Sequence, residues 1–263
     1  MADDGRGELL AIARDTRALL DRERGRGRTR FVLGVPEVES PMPLPEALAL
    51  PGFETMVPKP PAAPVPAAPT LSLHADLPQD LAELSKLVST CRKCGLCETR
   101  TQTVFSDGAP TARLLLVGEA PGRDEDAQGV PFVGRAGQLL NKMLAAIELK
   151  REEVYICNVL KCRPPDNRTP LPEEVERCLP YLEQQIALIR PTLICALGLS
   201  AMQALLGTKA SMTSMRGRTF EFRGVPLVPT YHPAALLRNP GLKRDAWVDL
   251  QRVRDLLLAG RAA

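Results

Sequence analysis

Three of the chain's seven cysteines fall within the run CRKCGLC, at positions 91, 94 and 97. Cys91 and Cys94 form one C-x-x-C pair, and Cys94 and Cys97 form a second that overlaps it. Cys162 stands in the polar segment KCRPP and Cys178 on the helical segment that follows. Cys157 and Cys195 fall inside apolar runs, where a free cysteine behaves as a small hydrophobe. Four thiolates drawn from such a set bind either zinc or an iron–sulfur cluster, and spacing does not separate the two. Nor does spacing choose between the 91/94 and 94/97 pairs. An odd cysteine count, with no apolar export segment in the first thirty residues, favours reduced thiols or metal ligands over a disulfide framework. The expected compartment is the cytoplasm.

The elements that must position these residues alternate along the chain. Apolar runs in ARLLLVGEAPG, EVYICNVLKC, PTLICALG and VPLVPTYHP read as four buried strands. Helical patterns occupy LPQDLAELSKLVSTC, GRAGQLLNKMLAAIEL, LPEEVERCLPYLEQQIALI, LSAMQALLG and a last stretch from about Lys243 to Leu258. This alternation predicts an α/β fold, a three-layer α/β/α arrangement with a central, mostly parallel four-stranded sheet. In such sheets, sites form beyond the carboxyl ends of the strands. The turns there are GEAPG, CNVLKCRPP and TYHPAALLRNP, and they carry Asn158 and His232.

Upstream the composition changes. Residues 8–24 place Leu9, Ile12, Ala13, Leu19 and Leu20 on one helical face, followed by the basic stretch RGRGRTR. Twelve of the 25 prolines lie between Pro36 and Pro78, with Ala-Pro repeats at 60–69. Such a segment forms neither sheet nor helix and reads as an extended linker. The expected organisation is a basic helical arm over 1–35, a disordered proline-rich linker over 36–77, and a compact domain over 78–263. A net charge of +3 permits a polyanionic partner without demanding one. No run of eighteen apolar residues occurs, so no membrane span is expected.

Taken together and in order, VGEAPGRDEDAQGVPFVGRAGQLLNKML, VYICNVLKCRPPDNR, EVERCLPYLEQQI and TYHPAALLRNP resemble the type-4, iron–sulfur uracil-DNA glycosylases of bacteria and archaea. The resemblance covers about residues 88–258. It implies a [4Fe–4S] cluster held by Cys91, Cys94, Cys162 and Cys178, with Cys97 a neighbour rather than a ligand. It also implies a base-excision enzyme that flips uracil out of single- or double-stranded DNA and hydrolyses its glycosidic bond. A monomer is expected, and the N-terminal arm is a candidate contact for DNA or a replication or repair protein.

The same resemblance assigns roles. His232 hydrogen-bonds uracil O2 and steadies the charge of the leaving base. Asn158 donates to O4 and accepts from N3–H, a pattern that cytosine inverts. Phe132 offers a ring on which the flipped base stacks. Gly118 and Gly122 allow close backbone approach in GEAPG. Other uracil glycosylases carry a water-activating Asp where this chain has Ala120, and a thymine-excluding Tyr where it has Gly122. Glu119 and Glu125 are then the nearest carboxylates, and no base is assigned. Leu236 and Leu237 are expected to wedge into the base stack, while Arg238 and Arg163 hold phosphates. Arg168, Lys243 and Arg244 are further phosphate candidates.

Three other readings remain open at this level. One is a non-catalytic iron–sulfur or zinc module that binds nucleic acid or carries electrons. Another is a glycosylase that also takes hypoxanthine or xanthine. The third is a relative that cross-links covalently to the abasic sugar through a histidine after the Asn-bearing strand. The segment VLKCRPPDNRTPLPEEVERC contains no histidine, which disfavours the last.

Overall fold

The computed structural model describes residues 73–260. The helix read over 8–24, the arm and almost all of the linker lie outside the described residues.

Within the described residues the core is one sheet. Strands β2 (Leu114–Gly118), β3 (Tyr155–Asn158) and β4 (Leu193–Leu197) are buried at every position. Strand β6 (Val225–Thr230) is buried except at Pro226. These four pair in parallel, in the order β3-β2-β4-β6. Strands buried on both faces need unbroken apolar runs, which is the pattern LLLVG, YIC and LICAL present, with Asn158 ending its strand.

Two further strands make the sheet six-stranded rather than the four expected. β1 (Asp107–Gly108) pairs antiparallel with β3, and β5 (Phe220–Phe222) pairs antiparallel with β6. Each is too short to carry an alternating pattern. β5 is joined to β6 by a two-residue turn in which Arg223 (φ 49°) and Gly224 (φ 86°) are both left-handed, the backbone of a tight hairpin.

Helices cover both faces. On one, Leu115, Val117, Cys157, Ile194 and Leu227 pack with Leu182 and Ile186 of α4 (Pro172–Ile189) and with Met202 of α5 (Leu199–Leu206). On the other, the alternate strand residues Leu114, Leu116, Ile156, Cys195 and Val228 meet α3 (Arg135–Ala146) and α8 (Lys243–Ala259). The period-two alternation of the strands divides one apolar run between two helical layers. Cys157 and Cys195 are fully buried, as plain core.

A smaller apolar cluster sets α1 (Leu81–Ser89) against α4 through Leu84, Val88 and Tyr181. Asp80 caps α1 by accepting from the backbone N–H groups of Ala82 and Glu83. The chain therefore leaves α1 at Thr90 and enters the CRKCGLC run beside the cysteine-bearing face of α4. Because the four central strands are parallel, Gly118, Asn158, Leu197 and Thr230 end at the same edge.

Candidate functional site

A cavity of about 700 Å³ opens at that edge. Phe132, Asn158 and His232 line it together, with Glu119, Ala120 and Gly122 from the turn after β2 and Glu125 from the short helix α2 (Arg123–Gln128) that follows. Gly118 holds the group together by lacking a side chain. A Cβ there would lie 2.3 Å from Asn158 Oδ1 and 2.6 Å from Phe132 Cζ. Phe132 is buried and sits in the left-handed region at φ 53°, uncommon for an aromatic residue. Its ring centroid is 5.4 Å from that of His232, with the planes inclined by 30°.

His232 follows β6 and caps α7 (Pro233–Arg238): its Nδ1 accepts from the Ala234 N–H at 3.1 Å. Pro233, in the first helical position, supplies the fixed φ that starts the helix. Since Nδ1 is an acceptor, the neutral ring carries its proton on Nε2. Burial, with a smaller contribution from the Arg238 charge, pushes the imidazole pKa down to about 4. At neutral pH the ring is therefore an uncharged Nε2–H donor. Gly198, which sequence reasoning missed, makes room for it. Gly198 has φ +98°, and a Cβ there would meet the His232 Cβ at 2.9 Å.

Asn158 is 2% exposed, and its Oδ1 is the one buried side-chain nitrogen or oxygen among the described residues without a hydrogen-bond partner. An orphaned buried amide is costly, on the order of 1–3 kcal/mol, and points to a ligand that completes it. The main-chain carbonyl of the same residue is occupied, accepting from Lys161 Nζ at 2.7 Å.

The carboxylates differ. Glu125 Oε1 accepts from the N–H groups of Val133 and Gly134, both at 3.0 Å, and Oε2 accepts from Gly122 N–H at 3.1 Å. It therefore ties the GEAPG turn to the loop bearing Phe132. Glu119 lines the cavity, and Ala120 presents only a methyl group. Asn167, also missed, lines the cavity in a left-handed conformation (φ 53°), its Oδ1 accepting from Arg163 Nε at 2.8 Å.

Among the expected DNA-facing residues, Leu236 is corrected. It is 2% exposed and packs in the core with Leu140 and Leu250, so it cannot wedge into a base stack. In a six-residue helix, Pro233 and Leu236, three apart, turn inward together, and Leu237 faces out at 37% exposure. Arg238 is exposed at the rim. Lys243 and Arg244 on the next helix are exposed but do not line the cavity. Arg168 is engaged in a two-pronged bond with Glu174, at 2.6 and 2.9 Å.

The thiols gather elsewhere. Cys91, Cys94, Cys162 and Cys178 line one hollow between α1, α4 and the turn after β3, and Cys97 lines it too. Among the described residues, no three His, Cys, Asp or Glu side chains converge as a single-ion site; the sulfurs surround the hollow instead. Donors already point at three of the sulfurs. Arg100 Nη1 donates to Cys162 at 3.1 Å, Lys161 N–H to Cys178 at 3.3 Å, and Tyr181 O–H to Cys91 at 3.4 Å. Desolvation raises the pKa of Cys94 and Cys162 and pushes Cys178 up to about 12. Lys161, 1% exposed, makes no ion pair with a carboxylate among the described residues; its Nζ donates to Asn158 O and to Gln185 Oε1 at 2.5 Å. A buried cation beside four thiols is complemented when those thiols are ionised and bound to a metal. The donor set fits a thiolate-ligated metal cluster.

Comparison with known proteins supports the same reading. Residues 105–251 match the family model described as the uracil DNA glycosylase superfamily. The type-4 uracil-DNA glycosylase of Archaeoglobus fulgidus is 44% identical over 186 residues, covering 68% of this chain and 94% of the relative. That of Pyrobaculum aerophilum is 46% identical, covering 65% and 91%, and that of Thermotoga maritima 43%, covering 68% and 96%. A cavity at the strand ends, an unpaired amide facing it and a thiol-lined hollow behind it thus occur in a chain that belongs to the uracil-DNA glycosylase superfamily, among its type-4 members.

Proposed function

We propose that the protein is a DNA repair glycosylase that draws uracil out of DNA into the cavity, hydrolyses its N-glycosidic bond and leaves an abasic site. The observation that carries this reading is the orphaned Oδ1 of Asn158, buried beside the Phe132 ring and the neutral His232. The Asn158 amide offers one acceptor and one donor, matching N3–H and O4 of uracil. Cytosine presents the opposite pair and would leave buried groups unmatched. Phe132 gives the flipped base a surface to stack on.

As the C1′–N1 bond breaks, its electron pair leaves with uracil and the sugar becomes oxocarbenium-like. His232 Nε2–H is the donor for O2, where negative charge develops. A neutral imidazole suits this, because it strengthens its bond to the anion without having to transfer its proton. Water then adds through oxygen to C1′, and one of its protons passes to the departing base or to solvent. No side chain at position 120 can take that proton, so the reading assigns no dedicated base. Glu119 and Glu125 bring negative charge towards the developing sugar cation, and Glu125 also braces the two loops. Gly118 and Gly122 permit the close approach, and Leu237, Arg238 and Arg163 are the candidate contacts to the base stack and phosphates.

Cys91, Cys94, Cys162 and Cys178 are the proposed ligands of a [4Fe–4S] cluster, which when bound supplies a cross-link between the CRKCGLC run, the turn after β3 and α4. No helix among the described residues is long and apolar enough to cross a membrane, and a cytoplasmic enzyme is proposed. Residues 1–77 are proposed to tether this domain, 78–263, to DNA or to a repair partner.

The test is a base-release assay on single- and double-stranded oligonucleotides bearing uracil, thymine or hypoxanthine. Release of uracil with an alkali-labile abasic site supports the reading, and no release from any substrate overturns it. Hypoxanthine release would widen the substrate class.

A further inference from the structure

The loop that carries the Phe132 ring is bonded through two backbone carbonyls to one side chain. Arg151 stands in the short turn Arg151–Glu153 that leads into β3, and does not itself line the cavity. Its guanidinium donates to the carbonyls of Pro131 at 2.5 Å and Phe132 at 3.1 Å. It also donates to Asn141 Oδ1 of α3 at 3.1 Å and, through Nε, to Asp107 Oδ2 of β1 at 2.6 Å. One planar group thus joins two consecutive carbonyls of the stacking loop, a helix and the edge strand. Lysine, a point charge without a fork, cannot reproduce that pattern.

The loop needs such a clamp. Phe132 is left-handed at φ 53°, a conformation that costs an aromatic residue free energy and persists only where its surroundings impose it. Two constraints act from the other sides. Glu125 accepts the N–H groups of Val133 and Gly134, and the Phe132 carbonyl presses so closely on α3 that a Cβ at Gly137 would fall 1.7 Å from it. The Glu125 bonds fix the exit of the loop, whereas among the described residues the carbonyls of 131 and 132, which set how far the ring reaches into the cavity, accept hydrogen bonds only from Arg151.

We propose that Arg151, oriented by Asp107, is a positioning residue that sets the Phe132 ring as the stacking surface for the flipped base. This rests on the reading that Phe132 is that surface. The residue touches neither substrate nor cofactor, so its effect must pass through Phe132.

The experiment is a double-mutant cycle on the full chain. Single-turnover uracil excision from duplex DNA is measured for wild type, Arg151→Gln, Phe132→Ala and the pair. In parallel, 2-aminopurine placed beside uracil reports base flipping, and thermal unfolding monitors the fold. We expect Arg151→Gln to slow excision on the order of tenfold to a hundredfold, the scale of a small misplacement at a reacting centre. The flipping signal should fall with it, and the double mutant should be no slower than Phe132→Ala. Arg151→Lys should rescue little. Asp107→Asn, which leaves the guanidinium in place but removes its partner charge, should show the same signature more weakly and serves if Arg151→Gln does not fold. Additive losses in the double mutant, or wild-type excision by Arg151→Gln, overturn the positioning role. If Phe132→Ala itself excises and flips like wild type, the stacking reading fails first and the role falls with it.

Discussion

Lys161 joins Asn158 to the thiol hollow: its side-chain nitrogen donates to the main-chain carbonyl of Asn158 at 2.7 Å, and its own backbone N–H donates to Cys178 Sγ at 3.3 Å. The two sites therefore share one buried residue. Replacing Lys161 by Met keeps the volume but removes the cation, leaving the Asn158 carbonyl and Gln185 Oε1 without their donor. We expect reduced iron per chain and a loss of about 1–3 kcal/mol in unfolding free energy. Iron analysis and denaturant unfolding check both, and full iron content at unchanged stability would contradict the link.

The metal reading makes a sharper separation among neighbouring thiols. Cys94→Ser should lose the brown colour and bound iron, while Cys97→Ser should keep them, although both side chains line the hollow. Visible absorbance and iron and zinc analysis of the purified proteins decide it. Stoichiometric zinc in a colourless wild-type protein would replace the cluster with a zinc site.

Much of this was legible in the sequence, for physical reasons that differ by element. LLLVG, YIC and LICAL announce doubly buried strands because no polar side chain interrupts them, and parallel strands bring their ends together, which is why the turns bearing Asn158 and His232 could be grouped, while the roles of those two residues rested on the resemblance. β1 and β5 were not legible: two or three residues carry no period, and pairing with a neighbour defines them. Gly198 and Asn167 escaped notice because their roles depend on left-handed backbone and on what lies across the cavity. Leu236 was misread because a six-residue helix after a proline turns one leucine inward and the next outward, a distinction that consecutive residues in LLR do not reveal. Arg151 sits in an ordinary charged turn, and only the folded loop gives it two carbonyls to hold.

The packing around Gly118 gives a test of the cavity itself. Gly118→Ala would set a methyl group 2.3 Å from Asn158 Oδ1 and 2.6 Å from Phe132 Cζ, so one or both side chains must shift. We expect at least about a hundredfold loss in excision from misplacement of these groups. Steady-state and single-turnover kinetics check it, and near-wild-type activity would show that neither position matters.

The pKa of His232 fixes the direction of pH effects. The folded imidazole, held down to about 4 by burial, stays neutral where an unfolded one, near 6.5, takes up a proton. Between those values the unfolded state binds more protons, so stability falls as pH drops from 6.5 towards 4. His232→Gln should flatten that part of the stability profile. The excision rate, so far as this residue governs it, should hold steady down to about pH 5 and fall as pH approaches 4. A profile that rises as the histidine protonates would mean that the imidazolium is the active form.

Base recognition and bond breaking should respond differently to substitution. Asn158→Asp replaces the donor with a second acceptor, so uracil binding in the cavity should weaken along with the rate. Competition by free uracil measures the first and excision assays the second. Unchanged inhibition by free uracil would remove Asn158 from recognition.

The most direct measurement is single-turnover uracil excision by His232→Ala, with the affinity for uracil-containing DNA determined alongside. A donor that matters only as charge develops on the leaving base should cost roughly a hundredfold to a thousandfold in the chemical step while leaving DNA affinity nearly unchanged. Excision at the wild-type rate by a folded, DNA-binding His232→Ala protein would contradict the proposed chemistry.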